Sequence, residues 1–221
     1  MPLKGALCFG ERIFKMIRLY LIRHGETEWN TVKRFQGWTD IELSSRGIEQ
    51  ARLLSERFRN IKLDEIYSSP LKRAVKTAEP IAEKKDLELK TSEYFKEINF
   101  GIWEGKTRDE LSALYGAEFD DFLIHPEAHT FPGDGSFDAV TERIKKGLNM
   151  VLDGKDNISV AIVSHGGIIR LIVKYLLDIE GEWYNKTWID NTSITLLELK
   201  KGGNLLRVLN DSSHIPDNGI I

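Results

Sequence analysis

Cysteine is almost missing from this sequence, since Cys8 is the only one among 221 residues. A single cysteine cannot form an intramolecular disulfide or a cysteine-rich metal site, and it fits a reducing compartment, so we expect a cytoplasmic protein. Long apolar runs are also missing. No segment reaches the roughly 18–20 consecutive apolar residues that span a bilayer, and we therefore expect no membrane partner.

An excess of positive charge is absent as well. The chain carries 34 acidic and 31 basic residues, a formal net charge of −3. Proteins that bind nucleic acids usually present a basic surface, so we expect no nucleic-acid partner. An anionic substrate would have to be held by a local cluster of cations. His125, His129 and His214 show no metal-ligand spacing, so we also expect no bound metal.

The sequence contains no segment with the composition of a linker and no repeat. There are only six prolines, and no low-complexity run or fixed-period repeat interrupts the chain. We expect a single catalytic domain over residues 16–215, followed by a flexible tail at residues 216–221. Residues 1–15 have no uninterrupted apolar core, so we interpret them as an irregular extension rather than a signal peptide. Met16 is a possible alternative start.

Strands and helices alternate along the rest of the chain. The predicted strands are residues 17–23, 63–68, 87–94 and 158–164, with a closing hairpin of residues 193–199 and 205–209. The predicted helices are residues 46–60, 71–85, 107–115, 118–123, 136–152 and 166–177, and residues 125–135 are predicted to form a loop. This alternation predicts an α/β fold, a three-layer α/β/α sandwich with a mostly parallel central sheet.

Two helices carry more specific predictions. Residues 46–60 place Ile48, Ala51, Leu54 and Phe58 at helical spacing, with Ser44 and Ser45 as candidate N-caps. In residues 71–85, Pro80 falls within the helical pattern and predicts a kink or a break, because proline lacks the backbone N–H.

Two histidine–glycine pairs stand at the ends of two predicted buried strands. His24-Gly25 follows residues 17–23, and His165-Gly166 follows residues 158–164. In a parallel sheet, ligands bind beyond the carboxyl ends of the strands, so we expect both imidazoles at that edge. Gly166 also opens a helix, whose N-terminus attracts anions, so we count it among the phosphate-binding residues.

Several motifs in a fixed order carry a family resemblance. Residues 21–30 (LIRHGETEWN) resemble the opening signature of the phosphoglycerate mutase-like histidine phosphatases. Residues 37–51, 68–78 (SSPLKRAVKTA), 97–105 (EINFGIWEG) and 163–167 (VSHGG) resemble later blocks of that family, as do 191–193 and 210–214. The resemblance spans residues 16–215 and implies the phosphoglycerate mutase-like fold.

The resemblance also implies how the reaction proceeds. His24 is the expected nucleophile that becomes phosphorylated, and a neutral imidazole nitrogen can attack phosphorus near neutral pH. The family uses no cofactor or metal ion, so side chains must supply the positive charge. Arg23 and Arg73 fill that role, because guanidinium groups match phosphate oxygens. His165 is the expected third cationic or hydrogen-bonding partner.

A proton donor and two polar ligands complete the expected site. Glu97 is the predicted general acid, since the resemblance places the donor at the first glutamate of residues 97–105, and an alkoxide needs a proton as it leaves. Its rivals are Glu26, Glu28 and Glu104, of which Glu104 is expected to serve structure. Asn30 and Gln36 are predicted to hydrogen-bond the phosphate.

The expected activity is hydrolysis of a small phosphorylated metabolite. The short stretch between Gly105 and Ser164 favours a phosphatase over a 2,3-bisphosphoglycerate-dependent mutase, which remains an alternative. Residues 131–136 (FPGDGS) resemble a turn of the alpha-ribazole phosphatase branch, although that branch often has glutamate where this chain has Gly135. The third hypothesis for the function is a non-catalytic protein that binds phosphorylated ligands. A monomer and a homodimer are both compatible with the sequence.

Overall fold

A six-stranded sheet organises residues 16–216, the part of the chain that the computed structural model describes. The strands of the sheet follow the order β3-β2-β6-β1-β7-β8. The first four run parallel to one another, β7 is antiparallel to β1, and β8 is antiparallel to β7. Their bounds are β1 Ile17–Arg23, β2 Glu65–Ser68, β3 Leu89–Thr91, β6 Ile158–Ser164, β7 Ile194–Leu199 and β8 Leu205–Asp211. A separate two-stranded ribbon pairs β4 Thr130–Phe131 with β5 Gly135–Ser136.

Seven helices connect these strands within the described residues. They are α1 Glu28–Thr31, α2 Ser45–Arg57, α3 Lys72–Lys85, α4 Arg108–Tyr115, α5 Ala117–Ile124, α6 Phe137–Leu152 and α7 Gly166–Leu176. Short 3-10 turns occur at Glu93–Phe95, Gly101–Trp103, Pro126–Ala128 and Tyr184–Lys186. No helix in the described part of the chain is both long and apolar enough to cross a membrane.

The core lies in two layers, one on each face of the sheet. Strand β1 shows this directly, since Leu19 and Leu21 belong to the larger hydrophobic cluster and Tyr20 and Ile22 to the smaller one. Side chains alternate along a strand, so a strand that is apolar throughout needs cover on both faces. Helices α6 and α7 pack on the first face, and α2 and α3 on the second. The predicted α/β/α sandwich with a mostly parallel sheet is confirmed.

Most predicted elements appear with small shifts in their ends. The strands at residues 17–23 and 158–164 match residue for residue, and Ser44 caps α2 through a hydrogen bond from Gly47 N. The predicted strand at residues 87–94 shortens to β3, because a 3-10 turn takes its last residues. The predicted extension, residues 1–15, and all but the first residue of the predicted tail lie outside the described residues.

Two details of the helices differ from expectation. Helix α3 continues from Lys72 to Lys85, so of the predicted kink or break at Pro80 the break is wrong. Buried residues on both sides of the proline, including Ala78 and Ile81, hold the helix against the sheet, and this packing outweighs the missing N–H. Ile48 is 62% exposed, because the buried face of α2 runs through Gly47 and Gln50 instead.

Candidate active site

The two predicted histidines lie side by side at the carboxyl edge of the sheet. His24 follows β1 and His165 follows β6, and these strands are parallel neighbours. The ring centroids are 5.2 Å apart, and the main chains are joined by a bond from His24 N to Ser164 O at 2.9 Å. Both side chains are buried. The strand pairing therefore creates the convergence that the sequence predicts.

The hydrogen bond of His24 fixes which ring nitrogen can react. Nδ1 lies 2.7 Å from the carbonyl oxygen of Gly25, and a carbonyl oxygen can only accept, so Nδ1 carries the proton. Burial, and then the charges of Arg73 and Arg23, hold the pKa of His24 well below its usual value. The ring is therefore neutral near pH 7, and its lone pair is on Nε2.

Arg73 is completely buried beside this pair. It occupies the first turn of α3 and donates from Nη1 to Thr39 O at 2.8 Å and from Nη2 to Gly37 O at 2.7 Å. Its Nε is buried and has no hydrogen-bond partner. Burial lowers the pKa of Arg73 to about 10, which leaves the guanidinium charged at neutral pH.

Arg23 is the second cation of the site. Its Nη1 donates to Ile189 O at 2.6 Å, and its Nε is buried without a partner. Burial lowers the pKa of Arg23 to about 10, so this group is also charged at neutral pH. Among residues 16–216, neither Arg23 nor Arg73 forms an ion pair with a carboxylate within 4.0 Å. Two positive charges without a paired acid, one fully buried at Arg73 and one partly buried at Arg23, favour the binding of an anion.

His165 contributes an imidazole to the same pocket. Its Nε2 lies 2.9 Å from Ser69 Oγ, while its buried Nδ1 has no partner. Burial, and then the charge of Arg73, lower the pKa of His165 well below its usual value. The lowered pKa favours the neutral ring. Of the two predicted roles for His165, a hydrogen-bonding partner therefore fits better than a cationic one.

Glu97 lies where α7 begins. Its Oε2 accepts a hydrogen bond from Gly167 N at 3.3 Å, and its Oε1 accepts one from Ile98 N at 3.0 Å. Its charge raises the pKa of both Arg23 and Arg73 against the effect of burial, which places it close to both cations. A Cβ atom added at Gly167 would lie 2.5 Å from Glu97 Oε1, so the glycine makes room for this carboxylate.

The rival glutamates have other partners. Glu104 accepts hydrogen bonds from the main-chain nitrogens of Trp38, Thr39 and Phe100, which gives it the structural role that we expect. Glu26 accepts a hydrogen bond from Ser44 Oγ at the start of α2, and Glu28 is exposed in the first turn of α1.

The predicted phosphate ligands differ in their surroundings. Asn30 Oδ1 accepts a hydrogen bond from Thr27 N at 3.0 Å, which closes a capping box at α1, and this leaves its amide group as the remaining donor. Gln36 is buried and its Oε1 has no partner. Gly166 opens α7, and a Cβ atom there would lie 3.6 Å from Arg23 Nε.

Sequence reasoning missed several residues around the pocket. The guanidinium of Arg170 lies 3.6 Å above the ring of Tyr184, and both groups act electrostatically on Arg23. Asn191 donates to His24 O at 2.9 Å, and Trp188 is 65% exposed with its ring 6.0 Å from the Arg23 guanidinium. Two of them had a local signal: Arg170 lies one helical turn after Gly166, and Asn191 belongs to the block of residues 191–193 that resembles the family.

Metal-ligating side chains do not cluster in the part of the chain that the structure describes. No group of three or more histidine, cysteine, aspartate or glutamate side chains there is arranged to hold a metal ion. The described site instead combines a neutral imidazole, two guanidinium groups and a carboxyl group. Such a set of groups can bind a phosphate ester and attack its phosphorus through an imidazole nitrogen.

Comparison with known proteins gives a consistent set of relatives. A sequence model of the histidine phosphatase superfamily (branch 1) matches residues 19–212. Phosphoserine phosphatase 1 of Hydrogenobacter thermophilus is 36% identical over 200 residues, which cover 90% of this chain and 95% of that protein.

Solved structures agree with the sequence relatives. A mutant phosphoserine phosphatase from Entamoeba histolytica, crystallised with phosphoserine, has a TM-score of 0.81 and 36% identity, covering 90% of this chain and 99% of that one. The alpha-ribazole phosphatase from Shigella flexneri has a TM-score of 0.78 and 27% identity, covering 88% and 96% respectively.

Proposed function

The chain belongs to the histidine phosphatase superfamily and is a phosphatase, and from this premise we propose that it hydrolyses small phosphate monoesters through a phosphohistidine on His24. One observation carries the proposal: a neutral imidazole with a free Nε2 lies within the influence of two guanidinium groups that form no ion pair with an acid among residues 16–216. The nucleophile and the charge for the transferred group are therefore in place before substrate binds.

In the first step, the Nε2 lone pair of His24 attacks phosphorus and the bond from phosphorus to the ester oxygen breaks. Glu97 gives its proton to the departing oxygen, so an alcohol leaves and the carboxylate remains. The imidazole becomes positively charged as the P–N bond forms, and the hydrogen bond from Nδ1 to Gly25 O strengthens with that charge. Arg23 and Arg73 stabilise the charge on the phosphoryl oxygens.

In the second step, a water molecule enters beside the phosphohistidine. The Glu97 carboxylate removes a proton from it, and the oxygen attacks phosphorus. The P–N bond breaks and its electron pair returns to Nε2 of His24. Inorganic phosphate leaves, the imidazole is neutral again and Glu97 is protonated, so the enzyme is ready for another cycle.

The phosphate ligands supply most of the stabilisation in this scheme. Removing one preorganised donor from a site of this kind costs roughly 10²–10³ in rate, or about 3–4 kcal/mol of transition-state stabilisation. We therefore expect loss of either Arg23 or Arg73 to lower kcat by that order. His165 and the N-terminus of α7 at Gly166 add further donors, with Asn30 and Gln36 at the edge of the group.

The first substrate to test is phosphoserine. A phosphoserine phosphatase that is 36% identical along nearly its whole length supports this choice, together with a structural relative crystallised with phosphoserine. Alpha-ribazole phosphate has less support, because its phosphatase is 27% identical and this chain has Gly135 where that branch often has glutamate. We propose a cytoplasmic enzyme, on the basis of the single cysteine.

The decisive experiment traps the intermediate. The enzyme is mixed with ³²P-labelled phosphoserine and quenched in alkali, which preserves phosphohistidine, and labelled protein is separated from released phosphate. Wild type should carry label on His24 and release phosphate, and His24→Asn should do neither. Turnover by His24→Asn would contradict the proposal.

Two other results would replace the proposal with a different function. Rapid isomerisation of 3-phosphoglycerate in a coupled assay, with little free phosphate, would identify a mutase. Tight binding of phosphate esters without turnover across a wide panel would identify a non-catalytic binding protein.

A further inference from the structure

We propose that Arg143 is a positioning residue that holds the main chain of Glu97 in place for proton transfer. The proposal rests on the proposed role of Glu97 as general acid. Arg143 lies on α6, which is outside every sequence motif of the site. It acts through the main chain of the acid-bearing segment rather than on the substrate.

The guanidinium of Arg143 donates hydrogen bonds to three main-chain carbonyl groups of the segment that carries Glu97. Arg143 Nη1 donates to Tyr94 O at 3.1 Å and to Lys96 O at 2.7 Å, and its Nη2 donates to Glu97 O at 3.0 Å. The same Nη2 pairs with Asp134 Oδ2 at 3.0 Å, and both side chains are more than four-fifths buried. The planar fork of arginine can serve four acceptors at once, which a lysine ammonium on its single axis cannot do in this geometry.

Two further contacts extend this clamp around Glu97. Trp38 Nε1 donates to the same Glu97 carbonyl at 2.7 Å, and the Arg143 guanidinium lies over the Trp38 ring at 5.9 Å. Beyond Glu97, Asp134 Oδ2 accepts a hydrogen bond from Asn99 N at 2.8 Å. The main chain is therefore fixed on both sides of the acid.

The clamp matters because the Glu97 carboxylate is held through main-chain groups alone. Its hydrogen bonds come from the main-chain nitrogens of Ile98 and Gly167, and no side chain among residues 16–216 donates to it. The position of the carboxylate therefore follows the position of the main chain. A displacement of about 1 Å at a reacting group can cost on the order of 10² in rate.

The experiment compares two substrates that differ in their need for an acid. The substrates are compared by kcat/KM, which reports formation of the phosphohistidine, because its later hydrolysis uses Glu97 as a base with either substrate. In that first step phosphoserine releases an alkoxide and requires the proton, whereas 2,4-dinitrophenyl phosphate releases a stable phenolate and does not. The variants are Arg143→Met, Arg143→Lys and Asp134→Asn, with Glu97→Gln as the reference for loss of the acid. Lys146→Met removes an exposed cation from the same helix and serves as the matched control.

We expect Arg143→Met to lower kcat/KM for phosphoserine by roughly 10- to 100-fold, with kcat/KM for 2,4-dinitrophenyl phosphate changed far less. Arg143→Lys keeps the positive charge near His165 but loses the fork, so it should show the same selective loss. Asp134→Asn should act in the same direction, and it provides the test if Arg143→Met fails to fold. Lys146→Met should match wild type on both substrates.

Equal losses on the two substrates, or full activity of Arg143→Lys, would overturn the inference. Glu97→Gln separates this failure from that of the proposed function. If Glu97→Gln shows the selective loss and the Arg143 variants do not, only the positioning role is wrong. If Glu97→Gln itself shows no selective loss, the assignment of the general acid is wrong and the inference falls with it.

Discussion

The hydroxyl of Thr77 accepts a hydrogen bond from Gly25 N at 2.9 Å and donates to Arg73 O at 2.7 Å. Thr77 is fully buried on α3, one turn after Arg73. One hydroxyl group therefore joins the residue that follows His24, the proposed nucleophile, to the helix that carries Arg73, the proposed phosphate ligand.

Thr77→Val should weaken both stability and catalysis. Valine keeps the shape but removes the hydroxyl, which leaves the buried Gly25 N–H without an acceptor and lowers the free energy of unfolding by about 1–3 kcal/mol. We expect kcat/KM for phosphoserine to fall as well, because the Gly25 turn loses its support. Urea denaturation and steady-state kinetics measure the two effects. Thr77→Ser keeps the hydroxyl and should retain most of both, and equal behaviour of the two variants would contradict the bridge.

Gly167→Ala should damage catalysis more than folding. The new methyl group would lie 2.5 Å from Glu97 Oε1 and 3.0 Å from Tyr184 Oη, so the end of the Glu97 side chain must move. We expect kcat for phosphoserine to fall by about 10-fold or more, with Tm changed little, since alanine is favoured over glycine within a helix by about 1 kcal/mol.

Gly166→Ala is the matched variant for this test. Its methyl group would lie 3.6 Å from Arg23 Nε, which is ordinary contact, so its effect on kcat should be smaller. A larger loss in Gly166→Ala than in Gly167→Ala would contradict the placement of Glu97 beside Gly167.

Stability should fall in mild acid, and His214 should account for part of the fall. Neither ring nitrogen of His214 has a hydrogen-bond partner, and burial lowers its pKa to about 4, against the attraction of Asp211 and with a contribution from Arg57. Between pH 6.5 and 4 the unfolded chain binds this proton and the folded chain does not, so the unfolding free energy decreases as the pH falls. The lowered pKa values of His24 and His165 act in the same direction.

His214→Gln removes one of these contributions and should flatten the pH dependence. Allowing for the partial exposure of the ring, we expect the variant to lose about 1 kcal/mol less than wild type between about pH 7 and pH 5. Urea denaturation at the two pH values measures this difference. His125→Gln removes an exposed histidine and controls for the loss of a ring as such. Parallel curves for wild type and His214→Gln would show that His214 is not the group responsible.

Activity should survive removal of divalent metals. Arg23 and Arg73 are the proposed source of the positive charge that meets the phosphate, and the described residues offer no cluster of metal ligands. Dialysis against EDTA should leave phosphate release from phosphoserine unchanged. A loss that Mg²⁺ or Zn²⁺ restores would refute this expectation.

The central part of the fold could be predicted because its signals are local. The strands before His24 and His165 are rich in branched apolar residues, and parallel pairing is enough to bring the residues after them together. Arg73 and Glu97 could be named only through the resemblance of their segments to a known family. Composition and periodicity alone do not distinguish them from ordinary surface charges.

The supporting residues could not be predicted, because their partners are distant along the chain. Arg143 meets Glu97 across 46 positions, and no local pattern shows which turn of a long helix faces that segment. Tyr184 begins a short 3-10 turn, and its ring is placed by contact with Arg170 on α7. The capping box of Thr27 and Asn30 is the exception, because its spacing is visible in the sequence.

Strands β1 and β6 occupy inner positions of the sheet, each paired on both sides. Amide protons in such strands exchange with deuterated solvent only when the whole structure opens. His24 and His165 are therefore attached to the part of the sheet that we expect to exchange most slowly, and local fraying at the outer strands β3 and β8 should leave their separation unchanged.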